Sequence, residues 1–339
     1  MQQRVTRVEG TSMSSQNKPA VLTYVTGAAG FVGSHLVDRL LRDGSDVIGI
    51  DNLCTGDLQN LGEASASSRF TFVEADVSQP WDAWVDALAP ERRKPSLIFH
   101  LASPASPVHY ERLALETMAV NGFGTMHGVH FAHRVGATFL YASTSESYGD
   151  PLEHPQRETY WGNVNPIGIR SCYDESKRFG EAYVTTAVRK LGVDARIVRI
   201  FNTYGPRMQA GDGRVIPNFC MSALRGEPLT VYGDGQQTRS FCYVDDLVDG
   251  IVRLGTRPGL GGRVVNIGNP GEYTIRELAE VTARLADVAL KTEQRPLPPD
   301  DPTRRRPDIS VATALLGWKP TISLETGLAK TLDYFRSVS

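Results

Sequence analysis

Residues 21–51 read Val-Leu-Thr-Tyr-Val-Thr-Gly-Ala-Ala-Gly-Phe-Val-Gly-Ser-His-Leu-Val-Asp-Arg-Leu-Leu-Arg-Asp-Gly-Ser-Asp-Val-Ile-Gly-Ile-Asp. Residues 21–26 are a short, largely apolar run of the kind that forms a buried strand. Gly27, Gly30 and Gly33 then open an amphipathic stretch, Ser34 to Arg42, that stops at Gly44. A second strand, Asp46 to Ile50, delivers Asp51 at its end. Strand, glycine turn, helix, strand and acid form the order that a dinucleotide-binding unit requires. The glycines let backbone approach a pyrophosphate, and the helix N-terminus offers N–H groups and positive dipole. Asp51 would accept hydrogen bonds from ribose hydroxyls and repel a 2′-phosphate, which favours NAD over NADP. The spacing is G-x-x-G-x-x-G rather than G-x-G-x-x-G, so the flanking strands and the acid 18 residues past Gly33 carry the reading.

Outward from this unit, strand and helix signals alternate. Phe70–Val73 reads as a strand that leads to Asp76-Val77, whose carboxylate would face the adenine. Leu97–Leu101 is another strand, followed by one long helix from about Glu111 to Arg134 and a strand at Thr138–Ala142. A helix over about Tyr173 to Leu191 precedes the strand Ala195–Ile200. The expected fold class is α/β, a Rossmann-type doubly wound parallel sheet with a smaller C-terminal substrate-binding lobe. The expected division is a disordered tail over 1–19, an NAD-binding domain over 20–200 with a return around 240–268, and a substrate lobe from 201–239 and 269–339. The candidate cofactor contacts are Gly27, Gly30, Phe31, Val32, Gly33, Asp51, Asn52, Asp76, Val77 and Leu101, together with Tyr173 and Lys177.

Two segments carry candidate chemistry. Residues 143–146, Ser-Thr-Ser-Glu, put Thr144, Ser145 and Glu146 at a strand end, where clefts of such sheets lie. Tyr173 and Lys177 are spaced i, i+4, which puts phenol and ammonium on one helical face. A phenol with a pKa of roughly 10 is a poor base at neutral pH. A cation beside it favours the phenolate and moves that pKa toward the working range. Such a pair is suited to removing a proton from a sugar hydroxyl while a nicotinamide takes the hydride.

Bulk properties set the class. The chain has 339 residues, 41% of them hydrophobic, and a net charge of −2, so neither nucleic acid nor a membrane surface is an expected partner. Four scattered cysteines without C-x-x-C indicate neither zinc nor a disulfide framework. No apolar run approaches the roughly 20 residues of a membrane span. The N-terminal stretch lacks the apolar core of a signal peptide, so a cytoplasmic location is expected. His127, His130 and His133 recur every third residue, but at helical geometry their directions fan over about 120°, and no metal is expected. Cys172 is read as a small packing residue. Asp212, Asp245 and Asp246 are read as turn and helix-start residues.

The chain resembles the extended short-chain dehydrogenase/reductases and, among them, the UDP-glucuronate decarboxylases, from about residue 21 to 335. The family-level features are Thr26-Gly27-Ala28-Ala29-Gly30-Phe31-Val32-Gly33 and Tyr173-x-x-x-Lys177. More specific are residues 100–107, His-Leu-Ala-Ser-Pro-Ala-Ser-Pro, Ser143-Thr144-Ser145-Glu146, Tyr160-Trp161-Gly162-x-Val164-Asn165-Pro166, the 199–207 run Arg-Ile-Phe-Asn-Thr-Tyr-Gly-Pro-Arg and the 300–308 run Asp-Asp-Pro-Thr-Arg-Arg-Arg-Pro-Asp. The resemblance implies oxidation at C4 of UDP-glucuronate, loss of CO₂ from the resulting β-keto acid, and return of hydride to give UDP-xylose with NAD regenerated. It implies Tyr173 as base, Lys177 as its partner, and Thr144 on the C4 oxygen. Ser145 and Glu146 would lie near C5, with Glu146 ionised against the substrate carboxylate, protonated, or acting through water, and Arg305 would be an anion clamp. Pro104, Ser106, Asn202, Arg214, Tyr232 and Arg239 would contact the UDP-sugar. It also implies a homodimer through a four-helix bundle made of helices 111–134 and 173–191. Ser147 departs from the branched apolar residue usual in relatives. The alternatives are a UDP-glucuronate 4-epimerase, a nucleotide-sugar 4,6-dehydratase, or a non-catalytic NAD or nucleotide-sugar sensor.

Overall fold

A computed structural model describes residues 20–296 and 304–338. The tail expected over 1–19, and part of the 300–308 motif, lie outside the described residues. Seven parallel strands form the main sheet: β1 (Leu22–Thr26), β2 (Asp46–Asp51), β3 (Phe70–Glu74), β4 (Leu97–His100), β5 (Thr138–Thr144), β6 (Ala195–Ile200) and β7 (Val264–Ile267). Their order across the sheet is β7-β6-β5-β4-β1-β2-β3. Every pairing is parallel. The order reverses between β1 and β4, and a crevice opens there at the carboxyl ends of the strands.

The strands are apolar on both faces because helices cover both. Side chains alternate across the sheet, so Val25 joins Leu36, Val37, Leu247 and Ile251 on one face. Tyr24 joins Val129, Ala132, Val184 and Ala187 on the other. Helices Phe31–Arg42 and Val244–Thr256 thus supply the first layer, and Thr125–Val135 and Ser171–Leu191 the second.

The single helix expected over 111–134 is instead a broken series. Helix Pro107–Arg112 ends at Leu113, whose φ −115°, ψ 45° leaves the helical region. Ala114–Ala119 follows, then a π-helical segment at Val120–Gly124, then Thr125–Val135. Two glycines in that segment weaken regular helix, and Gly124 packs so close that a Cβ would lie 3.3 Å from the Val77 carbonyl. Wide turns of this kind accommodate such a close approach.

Beyond β6 the chain builds small sheets beside the crevice. Thr203–Tyr204 pairs with Cys242–Tyr243, and Leu229–Tyr232 pairs with Thr292–Arg295. Thr238–Ser240 is flanked by Glu272–Thr274 and by Arg304–Arg305, with Arg305 in register with Arg239. Residues in register on adjacent strands share a face. Between these excursions the chain returns to add β7 to the main sheet. Among the described residues no helix is long and apolar enough to cross a membrane.

Candidate active site

One cleft of about 1060 Å³ runs along the carboxyl ends of the strands. All the candidate cofactor, catalytic and substrate residues named from the sequence line it.

The dinucleotide end is built from backbone. Gly27 has φ +72°, and a Cβ there would sit 2.8 Å from the Ala102 amide nitrogen. A Cβ on Gly33 would fall 1.9 Å from the Gly27 carbonyl oxygen, so the helix meets the turn only as glycine. Gly30 caps helix Phe31–Arg42 without a side-chain hydrogen bond, and the first turn holds no acid. That N-terminus therefore presents its amides and dipole to an anion. Asp51 closes β2, accepting from Ala29 N at 3.0 Å and Leu53 N at 2.8 Å. The cradle and the acid fit NAD.

The Tyr/Lys pair sits on helix Ser171–Leu191. At Gly180 that helix lies so close to β5 that a Cβ would overlap the Tyr141 hydroxyl at 2.2 Å. The close approach lets Lys177 Nζ donate to the Ala142 carbonyl at 2.8 Å, 5.8 Å from the Tyr173 ring centre. Tyr110 stacks on Tyr173 with ring centres 5.0 Å apart. The electrostatics differ from the sequence expectation that Lys177 depresses the phenol. Burial pushes Tyr173 well above its ordinary value, with a hydrogen bond from Thr144 opposing. Burial also pushes Lys177 down to about 7, with the Glu181 charge opposing. Desolvation dominates both groups, so the phenol keeps its proton rather than standing as a phenolate beside a fixed cation.

At the other end, Ser145–Tyr148 forms a 3₁₀ turn after β5, capped by Thr144 Oγ1 accepting from Glu146 N at 3.2 Å. Glu146 is held by Arg305, through Nη1 to Oε1 and through Nη2 to Oε2 at 2.9 Å, and by Arg170 Nη2 on Oε2. Burial works to raise the Glu146 pKa, but Arg305 and then Arg170 hold it below the ordinary carboxylate value. Of the three states open from sequence, the ionised one is therefore favoured over the protonated one. Asp174, one turn along from Arg170, is pushed up to about 7 by burial and by the Glu146 charge. Arg170 went unrecognised in the sequence; its signal was an i, i+4 spacing to Asp174, three residues before Tyr173.

The remaining candidates are also placed. Ser106 is buried, and its hydroxyl has no partner among the described residues. A buried polar atom of that kind on a cleft wall is suited to a ligand. Arg214 is paired with Asp212, 2.8 Å from Nε, so Asp212, taken from sequence as a turn residue, is also a buried counter-ion facing the cleft. Ser147, the departure from relatives, is absorbed by a hydrogen bond to Ser143 at 3.2 Å, and Ser143 in turn donates to Glu181. His130 bonds Tyr183 at 2.7 Å, and the Cys172 thiol lies 3.6 Å from the Tyr110 carbonyl.

A glycine cradle, a Tyr/Lys pair and a polar strand end in one crevice define a nucleotide-cofactor enzyme of the extended dehydrogenase type. The chain belongs to the NAD dependent epimerase/dehydratase family, whose model matches residues 23–268. It is 52% identical to UDP-glucuronic acid decarboxylase 1 of Arabidopsis thaliana over 92% of this chain and 69% of that protein. Among solved structures it is similar to the UDP-glucose 4-epimerase of Thermotoga maritima with UDP-glucose (TM-score 0.85, 30% identity, 94% of this chain and 99% of that one). It is also similar to the UDP-glucuronic acid 4-epimerase of Bacillus cereus with UDP-glucuronic acid and NAD (TM-score 0.83, 28% identity, 94% and 100% covered).

Proposed function

We propose that the protein converts UDP-glucuronate to UDP-xylose and CO₂, using NAD that is regenerated in each cycle. The observation that carries this reading is Glu146 fixed between Arg305 and Arg170, in the same cleft as Thr144, Tyr173 and Lys177. The identity to UDP-glucuronic acid decarboxylases supports it.

NAD, when bound, supplies a two-electron oxidation at C4 and the matching reduction at the end. Tyr173, having passed its own proton to the amine of Lys177 or to solvent, takes the C4 hydroxyl proton as the phenolate, and Thr144 donates a hydrogen bond to the C4 oxygen. The resulting ketone is β to the C5 carboxylate. When the C5–carboxylate bond breaks, its electron pair moves into the C4 carbonyl as an enolate, which Thr144 and Tyr173 stabilise. Ionised Glu146 and Arg305 orient a water that delivers a proton to C5, and Tyr173 returns its proton to the C4 oxygen. The net reaction consumes one proton. Ser145, Pro104 and Ser106 border the sugar, while Asn202, Arg214, Tyr232 and Arg239 hold the diphosphate and uridine. The NAD-binding part is 20–200 with 240–268, and the sugar part is 201–239 with 269–339.

The protein acts as a cytoplasmic homodimer through the faces of helices Ala114–Ala119 and Ser171–Leu191. Supporting this, Leu115 and Met118 on the first helix, Phe179 on the second and Phe123 on the π-helical segment that follows the first are exposed. Sedimentation of a Phe123→Glu/Phe179→Glu double variant should show the mass of one chain.

The test of the reaction is incubation with UDP-glucuronate and NAD⁺, followed by proton NMR and absorbance of NADH. UDP-xylose with no lasting NADH is the expected result. Formation of UDP-galacturonate would make the protein an epimerase, and stoichiometric NADH with a 4-keto pentose would remove the final reduction.

A further inference from the structure

The sequence placed Glu146 and Arg305 separately near the reacting sugar; the geometry pairs them and brings in a third group. Arg170 is the residue immediately before helix Ser171–Leu191, and its carbonyl accepts from the amides of Tyr173 and Asp174, each at 3.0 Å. Its position is thus locked to the same turn that carries Tyr173. Its guanidinium reaches across the cleft wall to Glu146 Oε2, the oxygen that Arg305 Nη2 also holds at 2.9 Å. Its Nε lies 3.9 Å from Asp174 Oδ2. Asp174 is buried, and its Oδ1 has no hydrogen-bond partner among the described residues.

We propose that Arg170, backed by Asp174, is a positioning residue that couples the Tyr173 turn to Glu146 and keeps that carboxylate ionised and aimed at C5 of the sugar. The proposal rests on the decarboxylase reading above and deepens it. Arg305 comes from a strand, Arg304–Arg305, that reaches the site from a distant part of the chain. Arg170 is the N-cap of the helix that carries Tyr173. A carboxylate gripped from both sides cannot follow one element away from the other, so the C4 and C5 chemistry stay in register. The charged and titratable groups that face Glu146 are Arg305, Arg170, Arg239, Asp174, Tyr110 and Tyr173. Arg170 and Asp174 act on it differently: the guanidinium favours the ionised form, whereas the Asp174 carboxyl, pushed up to about 7, is already neutral in the acid range where Glu146 titrates.

That difference sets the experiment. The protonation of Glu146 is followed by difference infrared spectroscopy of the NAD-loaded protein without sugar, its carboxyl band assigned by loss in Glu146→Gln. In Arg170→Gln the midpoint should move to higher pH, while in Asp174→Asn, which replaces a carboxyl already protonated where Glu146 titrates, it should stay near the parent value. Arg170→Lys, which keeps the charge, should restore most of the parent value. In turnover, Arg170→Gln should lower kcat roughly tenfold, the loss expected for one charge-assisted hydrogen bond. Its acidic limb should shift upward, with KM changed less. An unmoved midpoint in Arg170→Gln, or an equal shift in both variants, would overturn the proposal, as would a loss confined to KM. Because the infrared titration needs no sugar, it reports on Arg170 even where the parent protein fails to release CO₂, and that failure would count against the decarboxylase reading alone.

Discussion

The two ends of the cleft are made of different materials. The dinucleotide end is backbone: three glycines within seven residues, a helix start and one acid, all inside residues 27–51. The end proposed for the sugar is side chain: Glu146, Arg170, Arg239 and Arg305 come from four separate stretches and meet through ion pairs and strand register. A site built from local backbone tolerates almost no added atom. A site built from distant charges tolerates atoms but not a change in charge.

Substitutions that separate the two ends sharpen that contrast. The largest effect is expected at the junction. Tyr173→Phe should cut turnover by about 10³-fold or more, while NAD stays bound, as measured by cofactor absorbance after desalting. Loss of NAD from this variant would break the separation, and retained activity would remove Tyr173 as the base. At the sugar end, Arg305→Gln takes one partner from a buried pair and should cost about 3 kcal/mol in urea unfolding. NAD occupancy should be unaffected.

At the dinucleotide end, Gly33→Ala drives a methyl into the Gly27 carbonyl. It should cost about 2 kcal/mol and weaken NAD retention, measured by equilibrium dialysis, while leaving the Glu146 cluster charged. A further test concerns pH. Lys177 has a folded value of about 7, below the 10.5 of a free lysine, because it is desolvated. Between those values the unfolded chain holds the proton and the folded protein does not, so this group's contribution to stability rises with pH across that window and its penalty is full below it. Urea midpoints of Lys177→Met against the parent, taken at pH 7 and pH 9.5, should converge as the pH rises.

The contrast also explains what the sequence revealed. The glycine cradle, β1, β2 and Asp51 are local, so their spacing stated both the structure and the ligand. The Tyr/Lys helix was legible because i, i+4 is a helical spacing. The helix expected over 111–134 was not, because its breaks answer to contacts the sequence does not display, such as Gly124 lying against the Val77 carbonyl. The depressed Lys177 and the raised Tyr173 follow from burial, which a linear reading cannot weigh. Glu146 could be seen, but its charge state could not. That state depends on partners 24 and 159 residues away. Arg305 and Arg239 were reached through resemblance alone, and Arg170, which no motif singled out, was missed.

β7 has a consequence for how such a protein can change. Because Val264–Ile267 is laid onto β6 between two excursions that build the end proposed for the sugar, that end is no cassette. It cannot be excised, grafted or exchanged by one cut without pulling an edge strand from the main sheet. New sugar preferences in this architecture must therefore be written residue by residue on a framework that stays threaded, and recombination is open only to exchanges that respect every crossing of the chain.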